Sequence, residues 1–141
     1  MDRWEIQQKI YSLNYNRDEL EEKIIDLNKK KGRIISEANR KERQQKQASE
    51  FFIGRRQIAS NYKTVAEGNA VNNIIEKYER IYACSNENSV TNELEGVKGL
   101  LSKNCEKIEE QVADLQSQIS SIDWQISECY SDLRDLESEV M

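Results

Sequence analysis

The sequence predicts an all-α protein, an elongated antiparallel helical hairpin or three-helix bundle built on coiled-coil heptads. Three observations carry that prediction. The 141 residues contain no proline and only five glycines, while a third of them are charged, a mixture rich in helix formers. Apolar residues near each end recur at alternating steps of four and three, the spacing that keeps one seam on one face of a helix. No run approaches the ~20 apolar residues of a membrane span, and the N-terminus lacks a signal-peptide core. A single domain spanning 1–141 is expected, with helices over roughly 3–50, 56–84 and 91–139 and a loop at 85–90.

The first element follows from the seam Ile6, Ile10, Leu13, Arg17, Leu20, Ile24, Leu27, Lys31, Ile34 and Ala38. Arg17 and Lys31 interrupt it, and polar seam residues set register or oligomeric state at some cost in stability. The middle element is softer. Phe51, Ile58, Tyr62, Val65, Ile74, Ile75, Tyr78, Ile81 and Tyr82 suggest an amphipathic helix, loosened around "EGNAVNN". "CSNENSVTNE" reads as a loop, with Ser89 or Thr91 placed to cap the helix that follows. That last helix has the longest seam, Leu101, Cys105, Ile108, Val112, Leu115, Ile119, Ile122, Ile126, Cys129, Leu133, Leu136 and Val140. Two arrangements fit: a turn near Gly54 separates the first two helices, or they form one helix and the chain turns back at 85–90. In the second, the N-terminal seam outruns its partner within the chain and calls for another protein.

Charge and chemistry narrow the function. Residues 1–28 carry a net −3, residues 29–63 a net +8 and residues 64–141 a net −10. The basic waist complements the acidic C-terminal helix or meets a polyanion, and the acidic remainder disfavours nucleic acid. There is no histidine and no glycine-rich phosphate loop, and carboxylate pairs such as Glu21–Glu22 and Glu109–Glu110 read as solvated helix faces. The expectation is a non-enzyme with no cofactor or metal. Three cysteines without C-x-x-C spacing point to a reducing, cytoplasmic setting, and Cys105 and Cys129 sit in the seam as small apolar residues.

The stretch Phe51, Phe52, Ile53, Gly54 stands out, an aromatic-x-Gly element near mid-chain, soon after the nine residues 39–47 that hold no apolar side chain. With the heptad helix before it and the long helix after it, this layout resembles the WXG or ESAT-like superfamily of type VII secretion in Gram-positive bacteria. It is most similar there to the small helical proteins associated with LXG toxins. The resemblance implies a helical adaptor, a targeting chaperone that binds the N-terminal helical domain of an LXG-type toxin, together with a second small helical protein. It also implies export with that partner. Phe52-Ile53-Gly54 would form the bend, with glycine permitting it and the aromatic ring covering the end of the seam; the plainer reading makes Phe51, Phe52 and Ile53 packing residues.

Phenylalanine replaces the family's tryptophan. The family's Tyr-x-x-x-Asp/Glu export signal is not met at the C-terminus, where Tyr130 is followed by Arg134, while Tyr15 and Glu19 have the spacing at the other end. The residues expected to touch a partner are Ile6, Ile10, Leu13, Leu20, Ile24, Leu27 and Ile34. The alternatives are a self-assembling coiled coil, such as a homodimer joined by the C-terminal seam, and a nucleic-acid-binding adaptor using residues 29–63.

Overall fold

The computed structural model describes residues 1–65 and 68–140, with side chains through Glu139. Among the described residues the chain is all-α, with no strand: α1 (Arg3–Val65), α2 (Asn69–Ile81) and α3 (Cys84–Val140). Helix α1 opens on a reciprocal cap. The Glu5 amide donates to Asp2 Oδ1 at 2.8 Å, and the Asp2 amide donates to Glu5 Oε2 at 3.3 Å. That Asp-x-x-Glu exchange satisfies two amides that have no intrahelical partner.

The expected boundaries are corrected at both bends. Residues 51–55 lie inside α1, which runs unbroken to Val65. With no proline to break it, the helix crosses Gly54 at the modest cost of one interior glycine. Helix α2, from Asn69, runs back along α1, and Gly68 just before it has φ 105°, a left-handed value favoured by glycine. Residues 85–90, expected as a loop, belong to α3. Their Asn and Ser residues do not stop the helix, because Asn86 is used at the junction. Its Nδ2 donates to the Arg80 and Ile81 carbonyls at 3.0 and 2.9 Å, closing α2 while α3 begins. Thr91 is no cap; its hydroxyl donates back to the Glu87 carbonyl at 3.0 Å. Ala66, Glu67 and the Val140 side chain lie outside the described residues.

The helices divide into two compact units, Met1–Arg33 with Cys105–Met141, and Ile34–Asn104. In the first, the N-terminal part of α1 lies antiparallel to the C-terminal part of α3. Ile6 and Ile10 are buried with Cys129, and Leu13, Leu133 and Leu136 pack against them. Ile108 is buried, and Leu20, Ile24, Leu27, Val112, Leu115, Ile119, Ile122 and Ile126 are half-buried, as two seams closing on each other require. Among the described residues three ion pairs cross the same unit: Arg3–Glu137 at 3.7 Å, Arg17–Asp123 at 2.7 Å and Lys31–Glu109 at 2.9 Å. Each pair of residue numbers adds to 140, and successive rungs lie two heptads apart. The polar residues that interrupt the N-terminal seam are therefore the ones that meet a carboxylate across it. Arg17 Nε stands 2.7 Å from Asp123 Oδ1 without an aligned hydrogen bond, so this rung acts mainly through charge.

In the second unit, α2 and the start of α3 both run antiparallel to α1. Lys63 pairs with Glu79 at 3.0 Å and Arg56 with Glu87 at 2.7 Å. Farther along, Gln45 Nε2 donates to the Thr91 carbonyl at 2.9 Å and to Glu95 Oε2 at 3.1 Å. Its buried apolar residues are Ala59 and Ile75.

Candidate functional site

The residues expected to bind a partner all lie on α1. Ile6 and Ile10 are buried in the first unit, and Leu13 packs beside them. Leu20, Ile24 and Leu27 share the same α1 face and are half-buried between the Arg17 and Lys31 rungs. Ile34, in the second unit, is half-buried too. The expectation that this seam lies open for another protein is corrected: α3 folds back far enough to cover it. A shorter third helix would have left it bare.

The Phe51–Gly54 stretch makes no bend, and Gly54 is not there for a close approach. Nothing lies within 4 Å of the point where a side chain at Gly54 would begin. The stretch instead joins a contact at the α2–α3 junction. Phe51 and Phe52 meet Tyr82 edge-on, with ring centroids 5.7 and 5.9 Å away, and Tyr78 stands 4.7 Å from Tyr82. Edge-to-face contacts of this kind add to the area they bury. Arg55 lies over the Phe51 ring at 5.0 Å and donates from Nη1 to the Tyr78 hydroxyl at 3.3 Å. That hydrogen bond first, then the electrostatic pull of Tyr78, raise the Arg55 pKa above its ordinary value.

At the next residue, Arg56 Nη1 donates to the Tyr82 carbonyl at 3.2 Å and pairs with Glu87. The Ser49 hydroxyl donates to Glu87 Oε1 at 2.8 Å. The bond from Ser49, then the one from Arg56, hold the Glu87 carboxyl below the usual carboxylate range. Glu87 also stands in the first turn of α3, where a negative charge suits the helix dipole. This group locks the junction, and all its partners lie within the second unit.

Beside the lock, the same unit leaves apolar surface uncovered. Ile58, Ala59 and Tyr62 of α1, with Val71, Ile74, Ile75 and Tyr78 of α2, line an open groove of about 280 Å³. Ala59 and Ile75 form its floor. Its walls are exposed: Ile58 is 42% accessible, Tyr62 60% and Ile74 67%. Phe51, Val65 and Ile81 extend the exposed surface, each accessible by about half or more. Along α1 the exposed members fall at 51, 58, 62 and 65, and along α2 at 74 and 81, which are helical spacings. The middle amphipathic segment was legible in the sequence, but its outward face was not. Periodicity tells which residues share a face, not which neighbour arrives to cover it.

Elsewhere, Tyr15 is exposed on α1 of the first unit, and Glu19, one turn on, raises its hydroxyl pKa by charge and hydrogen bonding. Among the described residues no three His, Cys, Asp or Glu side chains gather as a metal set, and no helix is long and apolar enough to cross a membrane. No protein-family model, curated protein or solved structure matches the chain.

Proposed function

We propose that this chain is a non-enzymatic helical adaptor that receives a helix of a partner protein on the apolar face of its second unit. The family resemblance supplies the partner, the N-terminal helical domain of an LXG-type toxin, and the task, targeting that toxin to type VII secretion. In this reading the two 4–3 seams are coiled-coil heptads that close within the chain. They make a scaffold, and the scaffold presents the groove.

The observation that carries the reading is the exposed apolar strip of Ile58, Tyr62, Val65, Ile74 and Ile81, set at helical spacing along a groove. Surfaces of that kind mark sites of association, and a groove between two helices is the shape an amphipathic helix fills. At about 25 cal/mol per Å² of apolar area, covering four such side chains gains several kcal/mol before association costs are deducted.

The two other readings fare less well. A homodimer joined by the C-terminal seam would need a face that α1 covers in the first unit. Five cations of the basic 29–63 segment, Lys31, Arg40, Lys41, Arg56 and Lys63, are paired with the chain's own carboxylates, which favours internal complementarity over nucleic acid.

Light scattering after size exclusion tests the proposal, with the chain alone and mixed with the helical N-terminal domain of an LXG-type toxin encoded beside it. The expected result is a heteromeric peak that is lost in the double variant Ile58→Asp, Ile74→Asp while helicity by circular dichroism is kept. A complex that survives both substitutions would move the partner away from this face. An oligomer of the chain alone, indifferent to the toxin domain, would replace the adaptor with self-assembly.

A further inference from the structure

We infer that the helix received by this groove is an acidic amphipathic one, an inference that rests on the docking reading above. Residues 51–65 of α1 contain no carboxylate at all, while Arg55, Arg56 and Lys63 give the segment three positive charges. Arg56 and Lys63 are held by Glu87 and Glu79. Arg55 is not held by a carboxylate among the described residues; it lies one turn from both Phe51 and Ile58, within the exposed ridge.

Helix α2 repeats the arrangement. Lys77 falls three residues after Ile74 and four before Ile81, so it stands between the two exposed isoleucines on one face. Among the described residues no carboxylate pairs with it or with Arg80, one turn on and also exposed. Each apolar ridge thus carries one charged residue, and in both it is a cation.

A helix seated between the ridges would place its own flanking positions against Arg55 and Lys77. Glutamates there would complete two ion pairs, whereas lysines would meet like charge. The concave form of the site favours a helix over a lipid surface. A membrane binder of the same composition presents a convex apolar face to the headgroups, with its cations rimming it.

The test uses the full chain and three labelled 18-residue helical peptides. They share one apolar face at i, i+3/i+4 and i+7 and carry Glu, Gln or Lys at the flanking positions. Fluorescence anisotropy is read at low and high salt, and sedimentation is measured with phosphatidylserine and phosphatidylcholine vesicles. The Glu peptide should bind about tenfold tighter than the Lys peptide, with the gap narrowing as salt rises. Lys77→Glu, at an exposed position, should cancel most of that preference, while Lys77→Gln should give an intermediate result. Arg55 is left intact because it packs on Phe51.

Equal affinity for all three peptides overturns the acidic assignment and leaves docking itself standing. Tighter binding of the Lys peptide does the same. Capture by phosphatidylserine vesicles with no peptide bound overturns it in favour of a membrane surface. No peptide binding, together with a toxin-domain complex unaffected by Ile58→Asp and Ile74→Asp, removes the docking reading as well.

Discussion

The two units are both helical, and they treat the large apolar residues beside their helix contacts in opposite ways. In the first, seam meets seam: Ile6 is 2% exposed and Cys129 3%, and even the charges that interrupt the seam find partners across it. In the second, Ala59 and Ile75 are covered while Ile58, Tyr62 and Ile74 remain in solvent. The difference lies in side-chain size and register. Where both helices keep a strict 4–3 alternation, large residues interlock along one line. Where α1 places alanine at the contact and its large residues to one side, the helices meet over the small residue and the rest stays outside. A closed seam reports on stability, and an open apolar face on association.

The sharpest way to break that comparison is truncation at matched residues. Ile6→Ala should cost about 2–4 kcal/mol, since it leaves a cavity in the buried cluster. Ile58→Ala should stay within about 0.5 kcal/mol, as exposed substitutions do. Urea unfolding followed by circular dichroism measures both. Equal costs would mean that Ile58 is covered in solution, for instance by a second copy.

The glycines come next. Gly68→Ala should destabilise by about 1–2 kcal/mol, because φ 105° strains any side chain there. Gly54→Ala should stabilise by about 0.5–1 kcal/mol, since the position is helical with open space around it. Thermal unfolding of the two variants decides between the observed reversal and a bend at Gly54, which would exchange their signs.

The rungs of the first unit give a smaller effect. Arg17→Ala and Asp123→Ala should each cost about 0.2–1 kcal/mol, because both side chains are partly solvated. Their double-mutant cycle should show coupling that falls as salt rises. No coupling would mean that the rung steers register without adding stability.

The smallest change concerns the junction lock. Glu87 has a folded pKa below its unfolded value of about 4.5, so its contribution is present above that pH and is lost as pH falls through the folded pKa. Acid titration of stability should therefore show a step below about pH 4.5 that Glu87→Gln removes. A step unchanged in that variant would assign it to other carboxylates, Glu95 first, whose pKa is lowered by Gln45 and Lys98.

Much of the fold was legible in the residues themselves. The absence of proline and the alternating seams determined helices, their faces and the interrupting cations, because those are properties of spacing along one chain. The cap at Asp2 and Glu5 is written there too, as an Asp-x-x-Glu spacing. The misplaced bends have one cause. Gly54 and the Asn/Ser run at 85–90 are weak helix residues, and weak local preference yields when the surrounding helix has packing to gain.

Sequence by itself thus determined that the protein is helical, which residues share a face, and that its acidic and basic stretches can complement one another. Only the tertiary structure decided that the N-terminal seam closes on α3, that Phe51 and Phe52 meet Tyr82, and that the middle face is left open. Covering a face depends on where a distant helix lies, and that position is set by turns and register summed over the whole chain.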